Sequence, residues 1–392
     1  MSIQQPMPGQ FAPVPVEPSA FSFGIEEEYF VVELDNKRLA TRSRPYFLRD
    51  CRKSLGDIVQ KEMLQSQLEI ATPVLTDARE GLRHIRGTRR AIADLAARHE
   101  LGIVASGTYP LAAWREQRPT KKTRYREMRN ELQMVGWRNV LCGMHVHVAP
   151  PVNASRIDLM NRALPWLPIF LALSTSSPFW QMHRTGMKGY RLAAYDELPR
   201  TGLPDVFRND GEYQVFVDTL VSAGTIPDAT HIWWAIRPSS RYPTLELRIA
   251  DSCTLVEDTI CIASLYRCLL RALWRIPTIN SGITSMSRLI VDENRWRAQR
   301  FGIEGSIVDL AAGRLRPITE LVAELLDLIA EDAVELDCVH EIQHARTILA
   351  RGTSADQQLK RYFAARESGE SRQAALTDVA EWLVETTSCN SC

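Results

Sequence analysis

Four short segments of this 392-residue chain alternate apolar and polar residues with a period of two, and each gathers chemically active side chains on its polar face. Residues two apart in a strand point to the same side. In Phe21–Val31, Phe23, Ile25, Tyr29 and Val31 share one face, with Glu27 the exception among them, while Glu26 and Glu28 point the other way. In Met144–Val148, Met144, Val146 and Val148 oppose His145 and His147. Leu245, Leu247 and Ile249 oppose Glu246 and Arg248, and Leu64, Leu68 and Ile70 oppose Gln65, Gln67 and Glu69. The pattern predicts one sheet with its core on one side and acids, imidazoles, amides and an arginine on the other.

Taken singly, an outward Glu or Arg on a sheet is ordinarily solvated, and a strand His is ordinarily structural. The convergence of several such strands is what points to a site. Glu26 and Glu28, two apart, repel each other unless a cation lies between them. His145 and His147 would also suit zinc, but the nearest cysteine, Cys142, lies on the apolar parity. An oxygen-rich set with one imidazole suits Mg²⁺ or Mn²⁺ better.

Elsewhere the chain reads as α+β. Residues 1–20 hold five prolines and are expected to form a disordered or extended arm, leaving 21–392 as one catalytic domain with a helical C-terminal third. Asp77 with Glu80 starts a helix carrying Leu82, Ile85, Ile92 and Leu95 on one face. Residues 155–174 read as a proline-interrupted apolar helix, and Glu257 and Asp258 open another that runs to about Arg275. Past Pro317 the pattern stays helical to about Ala350. With 47 basic and 47 acidic residues, no broad basic field exists for nucleic acid. Leu164–Leu173, the most apolar run, is too short to span a bilayer, so neither nucleic acid nor membrane is an expected partner. Without a secretory signal, a cytoplasmic location is expected, with the eight cysteines as reduced thiols and Cys389 and Cys392 in a frayed tail.

Gly24-Ile25-Glu26-Glu27-Glu28-Tyr29 resembles the opening signature of the type 2 glutamate–cysteine ligase, or carboxylate–amine ligase, family. The likeness continues through residues 62–73, Arg124-Tyr125, residues 143–148, 173–180, 185–191 and 234–251, and Glu293-Asn294-Arg295-Trp296, with a looser match at 351–356. Tyr109, where a His is expected, and Gln357, where an Arg is common, depart from it.

The resemblance implies a glutamine synthetase-like fold: an antiparallel sheet curved into a funnel, helices on its outer face and the active site within. It implies ATP-dependent amide formation through an acyl phosphate, with glutamate–cysteine ligase activity, small-molecule substrates, Mg²⁺ or Mn²⁺, and a homodimer as the expected assembly. By resemblance Glu26, Glu28, Glu69, His145 and Glu246 are metal ligands and Arg248 steadies the transferring phosphate. Glu62 matches a further acid, but its parity differs from that of Glu69, so it reaches the site only if the chain bends between them. Lys121, Lys122 and Arg124 are placed to meet ATP phosphates unless their loop is simply solvated, and Gln67, Tyr190 and Arg191 to hold the substrate amino acid. A ligase for another amino-acid and amine pair, a phosphagen-kinase-like phosphotransferase and an inactive binding protein are the alternatives.

Overall fold

Strand β1 (Phe23–Glu33) is the axis of the sheet, and its length lets two strands share one of its edges. The computed structural model describes residues 20–41, 45–309 and 312–388; the body of the expected N-terminal arm, the Cys389–Cys392 pair and the side chain of Arg124 lie outside the described residues. The strands that follow are β2 (Val59–Lys61), β3 (Gln67–Ala71), β4 (Leu101–Val104) and β5 (Met144–Val148). After them come β6 (Phe179–Trp180), β7 (His183–Arg184), β8 (Ile236–Pro238), β9 (Leu245–Leu247), β10 (Ser306–Asp309) and β11 (Arg314–Pro317). The main sheet runs β2–β3–β1–β5–β9–β8, and every pairing in it is antiparallel. β5 pairs with residues 23–27 of β1, and β4 pairs antiparallel with residues 30–33. Two short ribbons, β6–β7 and β10–β11, stand apart.

The apolar parity faces helices. Phe23, Ile25, Val146, Leu245 and Leu247 join the core formed with helix Val256–Arg275, while Tyr29, Val31, Leu68 and Ile70 pack with Ile92 of helix Ala78–Ala97 and Phe47 of helix Pro45–Leu55. The Asp77 side chain caps helix Ala78–Ala97 by accepting from the amides of Arg79 and Glu80. Prolines 165 and 168 cut the apolar run 155–174 into helix Arg156–Ala163, one tight turn and helix Leu167–Ser174, because neither offers a backbone donor. The C-terminal third divides into helices Ile318–Leu328, Ala330–Glu335, Val339–Arg351, Ser354–Glu367 and Arg372–Thr387. No helix among the described residues is long and apolar enough to cross a membrane.

Glu27, the exception in the β1 pattern, is fully buried against the helical layer. Arg89 donates to it through Nε (3.0 Å) and Nη2 (2.6 Å), Thr259 Oγ1 donates at 2.7 Å, and the Tyr29 hydroxyl donates as well. Arg89, also fully buried, spends its remaining donors on the carbonyls of Thr254 and Cys253, each at 2.7 Å. A charge on the core face is tolerable because each nitrogen of the guanidinium and each oxygen of the carboxylate is hydrogen-bonded.

The segment Leu64–Ile70 differs from its expected single strand. β2 and β3 form a hairpin, with Gln60 opposite Glu69, and residues 62–66 are its connection. Leu64 bridges to Pro119, and the Gln65 side chain donates to the Pro119 carbonyl at 2.9 Å, away from the sheet face.

Candidate active site

The polar parity builds three rungs across the sheet. Gln60, Glu69 and Glu28 form one, and Ala71, Glu26 and His145 the next. Gly24, His147, Glu246 and Arg237 form the third. They floor a cavity of about 500 Å³, walled by Met63, Tyr125, Met128 and Leu132 on one side and by Trp233, Arg241 and Tyr242 on the other. The polar face of β1 ends after Glu28, since Phe30 and Val32 on the same parity pack against Leu383 of the last helix.

Glu246 is clasped by two guanidinium groups. Arg237 donates through Nε (2.7 Å) and Nη2 (3.2 Å), and Arg248 donates through Nη1. Burial would raise this carboxyl, but Arg248 and Arg237 outweigh it and hold it well below the usual range. Arg248 also reaches the Tyr195 hydroxyl with Nη2 at 3.2 Å, and its Nε is buried without a hydrogen-bond partner among the described residues.

The two histidines have different surroundings. His145 Nδ1 lies 3.2 Å from Glu26 Oε2 and 3.5 Å from Arg248 Nη1, and burial together with Arg248 lowers its pKa to about 4. His147 Nδ1 bonds Thr244 Oγ1 at 2.9 Å, while its Nε2 is buried without a hydrogen bond among the described residues, 3.5 Å from Glu26 Oε1 and 4.0 Å from Glu246 Oε1. Burial works against charging this ring, yet the facing carboxylates raise its pKa. Glu26, His147 and Glu246 each offer a ligand atom within 4.8 Å of the others. An imidazole nitrogen without a bond, aimed between two carboxylates, is a donor set that fits a divalent cation.

The opposite end is acidic. Burial and Glu62 push the Glu28 carboxyl up to about 8, although Glu28 Oε2 accepts the Gly143 amide at 2.6 Å. Burial and the carboxylates of Glu62, Glu26 and Glu28 raise Glu69 well above its ordinary value. Glu62 thus lies among the other acids because the hairpin, not a bulge, turns it there. These oxygens also suit a hard cation, since burial and then mutual repulsion disfavour their ionised forms, and a bound cation would offset both.

Beneath the site, a buried scaffold absorbs much of the sequence signature. Asp251 accepts from Ser177 Oγ (2.6 Å), the Ser176 amide (3.0 Å) and Arg191 Nε (2.9 Å). Arg191 Nη2 serves the carbonyls of Arg248 (3.0 Å), Ile249 (3.1 Å) and Ala250 (2.8 Å), so this residue lines the cavity while bracing the end of the Glu246–Arg248 segment. Gly107 is required there: a Cβ on it would stand 2.6 Å from Asp251 Cγ.

Other expected residues scatter. Gln67 lines the cavity with its amide given to the Leu141 carbonyl at 2.6 Å. Lys122 lines it too, its Nζ on the Lys61 carbonyl at 2.9 Å, whereas Lys121 is exposed and not in the lining. Tyr190 does not reach the cavity; its ring packs 5.6 Å from that of Trp180. Tyr109 is buried beside Phe30 and Gln357 bonds the Arg351 carbonyl, so both departures from the family pattern fall outside the cavity. Sequence reasoning passed over Arg237 and Tyr195. Arg237 sits on a three-residue edge strand ending in Pro238, too short for alternation to register, and Tyr195 ends a six-residue helix with no periodic pattern.

Sheet, helical layer and rungs together define an α+β protein with an acid- and arginine-lined cavity on one face of an antiparallel sheet. The sequence pattern of glutamate-cysteine ligase family 2 (GCS2) matches residues 22–379, and the chain belongs to that family. A relative from Bradyrhizobium diazoefficiens, named "Putative glutamate–cysteine ligase 2", is 47% identical over 369 residues, covering 94% of this chain and 84% of its own. Two solved structures share the fold. A glutamate–cysteine ligase from Francisella tularensis in complex with AMP aligns with a TM-score of 0.67 at 12% identity, over 93% of this chain and 89% of that one. A bifunctional glutathione synthetase from Pasteurella multocida gives 0.67 at 15% identity over 93% of this chain, which spans about half (52%) of that protein.

Proposed function

We propose that this protein is an ATP-dependent carboxylate–amine ligase that joins glutamate to cysteine through an acyl phosphate. The observation that carries the reading is a pair of complementary vacancies in hydrogen bonding on one sheet face: the buried, unbonded Nε–H of Arg248 and the buried, unbonded Nε2 of His147. A buried donor left unsatisfied costs about 1–3 kcal/mol, and an anionic phosphate oxygen would relieve it. Family membership and the AMP complex of the Francisella protein support the same chemistry. The finer picture goes with it: residues 21–392 as one catalytic unit, and the sheet as the floor of a glutamine synthetase-like funnel.

A carboxylate does not exchange its oxygen for an amine at neutral pH, because oxide is too poor a leaving group. Its oxygen therefore attacks the γ-phosphorus of ATP, the bond to the β-phosphate oxygen breaks, and ADP departs. The amine then attacks the acyl carbon, phosphate leaves with the bonding pair, and the amine loses a proton. Arg248 stabilises the transferring group with its free N–H, and the clasp from Glu246 fixes the guanidinium plane. Glu26, His147 and Glu246 at one end, and Glu28, Glu62 and Glu69 at the other, would hold Mg²⁺ or Mn²⁺, which supplies charge neutralisation at the phosphates. His145, whose pKa burial and Arg248 lower to about 4, stays neutral and orients Glu26.

The test is to incubate the protein with ATP, Mg²⁺ and amino-acid pairs, following phosphate release and product mass together. Condensed product with stoichiometric ADP, lost in Glu26→Gln and Arg248→Ala, is expected. No ATP-dependent product from any pair would overturn the assignment.

A further inference from the structure

The motif Glu293-Asn294-Arg295-Trp296 belongs to the sequence signature, yet none of its residues lines the active-site cavity. It sits on helix Ser285–Phe301, opened by a Thr284–Ser287 capping box. Asn294 clamps the backbone of Val308 from both sides, accepting its amide at 2.7 Å and donating to its carbonyl at 2.8 Å. That clamp fixes the rotation of the helix and so the direction of the next side chain. Arg295 Nε is steadied by Asp292 Oδ1 at 3.0 Å, and its Nη1 meets Asp196 Oδ2 at 2.5 Å.

Asp196 directly follows Tyr195, the last residue of helix Tyr190–Tyr195. The start of that helix is anchored by Arg191, whose amide donates to Ser177 Oγ (2.9 Å) and whose Nε donates to Asp251 (2.9 Å). Its far end is the part that must be placed, because the Tyr195 hydroxyl lies 3.2 Å from Arg248 Nη2. The chain of contacts therefore runs from Arg295 to Asp196, along one peptide to Tyr195, and on to the guanidinium.

We propose that Arg295 is a positioning residue for Arg248, acting through the Asp196 ion pair and the Tyr195 hydroxyl. The inference rests on the ligase reading above. Arg295 touches no substrate; by closing the end of the short helix it keeps Tyr195 on Nη2, so that Arg248 presents its free Nε–H in one orientation. A second ion pair on the same segment, Arg138 with Glu197 at 2.8 Å, lies one residue further from Tyr195 and serves as the control.

Steady-state kinetics on Tyr195→Phe, Arg295→Gln, Arg295→Lys, Arg138→Gln and the Tyr195→Phe/Arg295→Gln double variant form the test. Tyr195→Phe and Arg295→Gln are each expected to lower kcat about tenfold with KM for ATP within about twofold, and Arg295→Lys to recover part of the loss. The double variant is expected to be no worse than the poorer single one, because both changes break one path. Losses that multiply, or an equal loss in Arg138→Gln, would overturn the proposal. So would a lowered melting temperature in Arg295→Gln with kcat unchanged. A crystal structure of Arg295→Gln reads the same claim without turnover: Arg248 Nη2 is expected to leave hydrogen-bond distance of Tyr195, and an intact contact refutes it. Failure of the wild-type protein to form product counts against the ligase reading alone.

Discussion

Replacing Glu27 by Gln tests whether three consecutive glutamates divide between fold and site. Gln conserves volume, so packing is unchanged, but it removes the counter-ion of a fully buried guanidinium. Arg89 contributes two of its hydrogen bonds, at 3.0 and 2.6 Å, to this carboxylate and has no solvent to turn to. Breaking a buried ion pair from one side costs about 3–5 kcal/mol, a large share of the ~5–15 kcal/mol that holds a typical protein folded. With an unfolding entropy of ~2.1 cal/mol/K per residue over this chain, that is a drop of about 5 °C in melting temperature. Glu28→Gln should behave in the opposite sense. It removes one of a set of mutually repelling acids, so the metal-free protein is expected to be at least as stable as wild type while its stabilisation by Mg²⁺ shrinks. Scanning calorimetry and urea unfolding of both variants, each with and without Mg²⁺, measure this. Equal destabilisation by the two substitutions, or a Glu27→Gln protein as stable as wild type, would refute the division.

Other predictions concern charge and packing at the site. The Glu28 carboxyl, raised to about 8 when folded against an ordinary 4.5, keeps its proton where the unfolded chain has lost it, so metal-free stability should fall as pH rises from about 4.5 to 8. Glu69 shifts in the same direction, and unfolding titrations with Mg²⁺ present should show a flatter profile, whereas a metal-free profile that rises over this window would contradict the assignment. His147→Gln is expected to weaken Mn²⁺ binding at least tenfold by calorimetry and His145→Gln less, since the Nε2 of His147 is the nitrogen left without a bond between carboxylates. Arg248→Ala is expected to lower kcat on the order of a thousandfold with the fold intact by circular dichroism. Gly107→Ala pushes a methyl to 2.6 Å from Asp251 Cγ and should destabilise by about 1–3 kcal/mol in urea unfolding.

How far such a site is legible beforehand depends on whether its residues obey a local period. Glu26, Glu28, His145 and Glu246 share a parity with the solvent side of strands whose other side is plainly apolar, and antiparallel pairing then aligns them into rungs without further information, while Arg248 keeps the same parity one residue past the end of β9. The resemblance placed Glu69 and Arg191 near them, and the α+β class followed from the same alternation beside helical periodicity. Glu62 was obscured because a hairpin connection carries no period: parity arguments treat residues 62–70 as one line, whereas the chain reverses there. The resemblance names His145 as the ligand, whereas Glu26, Glu246 and His147 are the side chains whose ligand atoms lie together; parity alone does not separate the two histidines, since both point into the cavity. Only the cross-strand partner, Glu26 for one and Glu246 for the other, separates them.

The same reasoning explains why the recognisable motifs exceed the chemistry. A serine, an aspartate and an arginine in a shared signature look catalytic, yet Ser176, Ser177, Asp251 and Arg191 form a buried network in which hydrogen bonds are mainly spent on each other and on the backbone that carries Arg248. On the proposed mechanism a rigid floor is needed, because Arg248 would act through one N–H whose direction must persist when phosphate charge passes it, and a flexible guanidinium would follow the charge instead of stabilising its transfer. Residues that fix that direction are therefore as constrained in identity as those that touch the phosphate. Tyr195, at the end of a short helix and 3.2 Å from Arg248 Nη2, belongs to that group although no alternation in the sequence marks it.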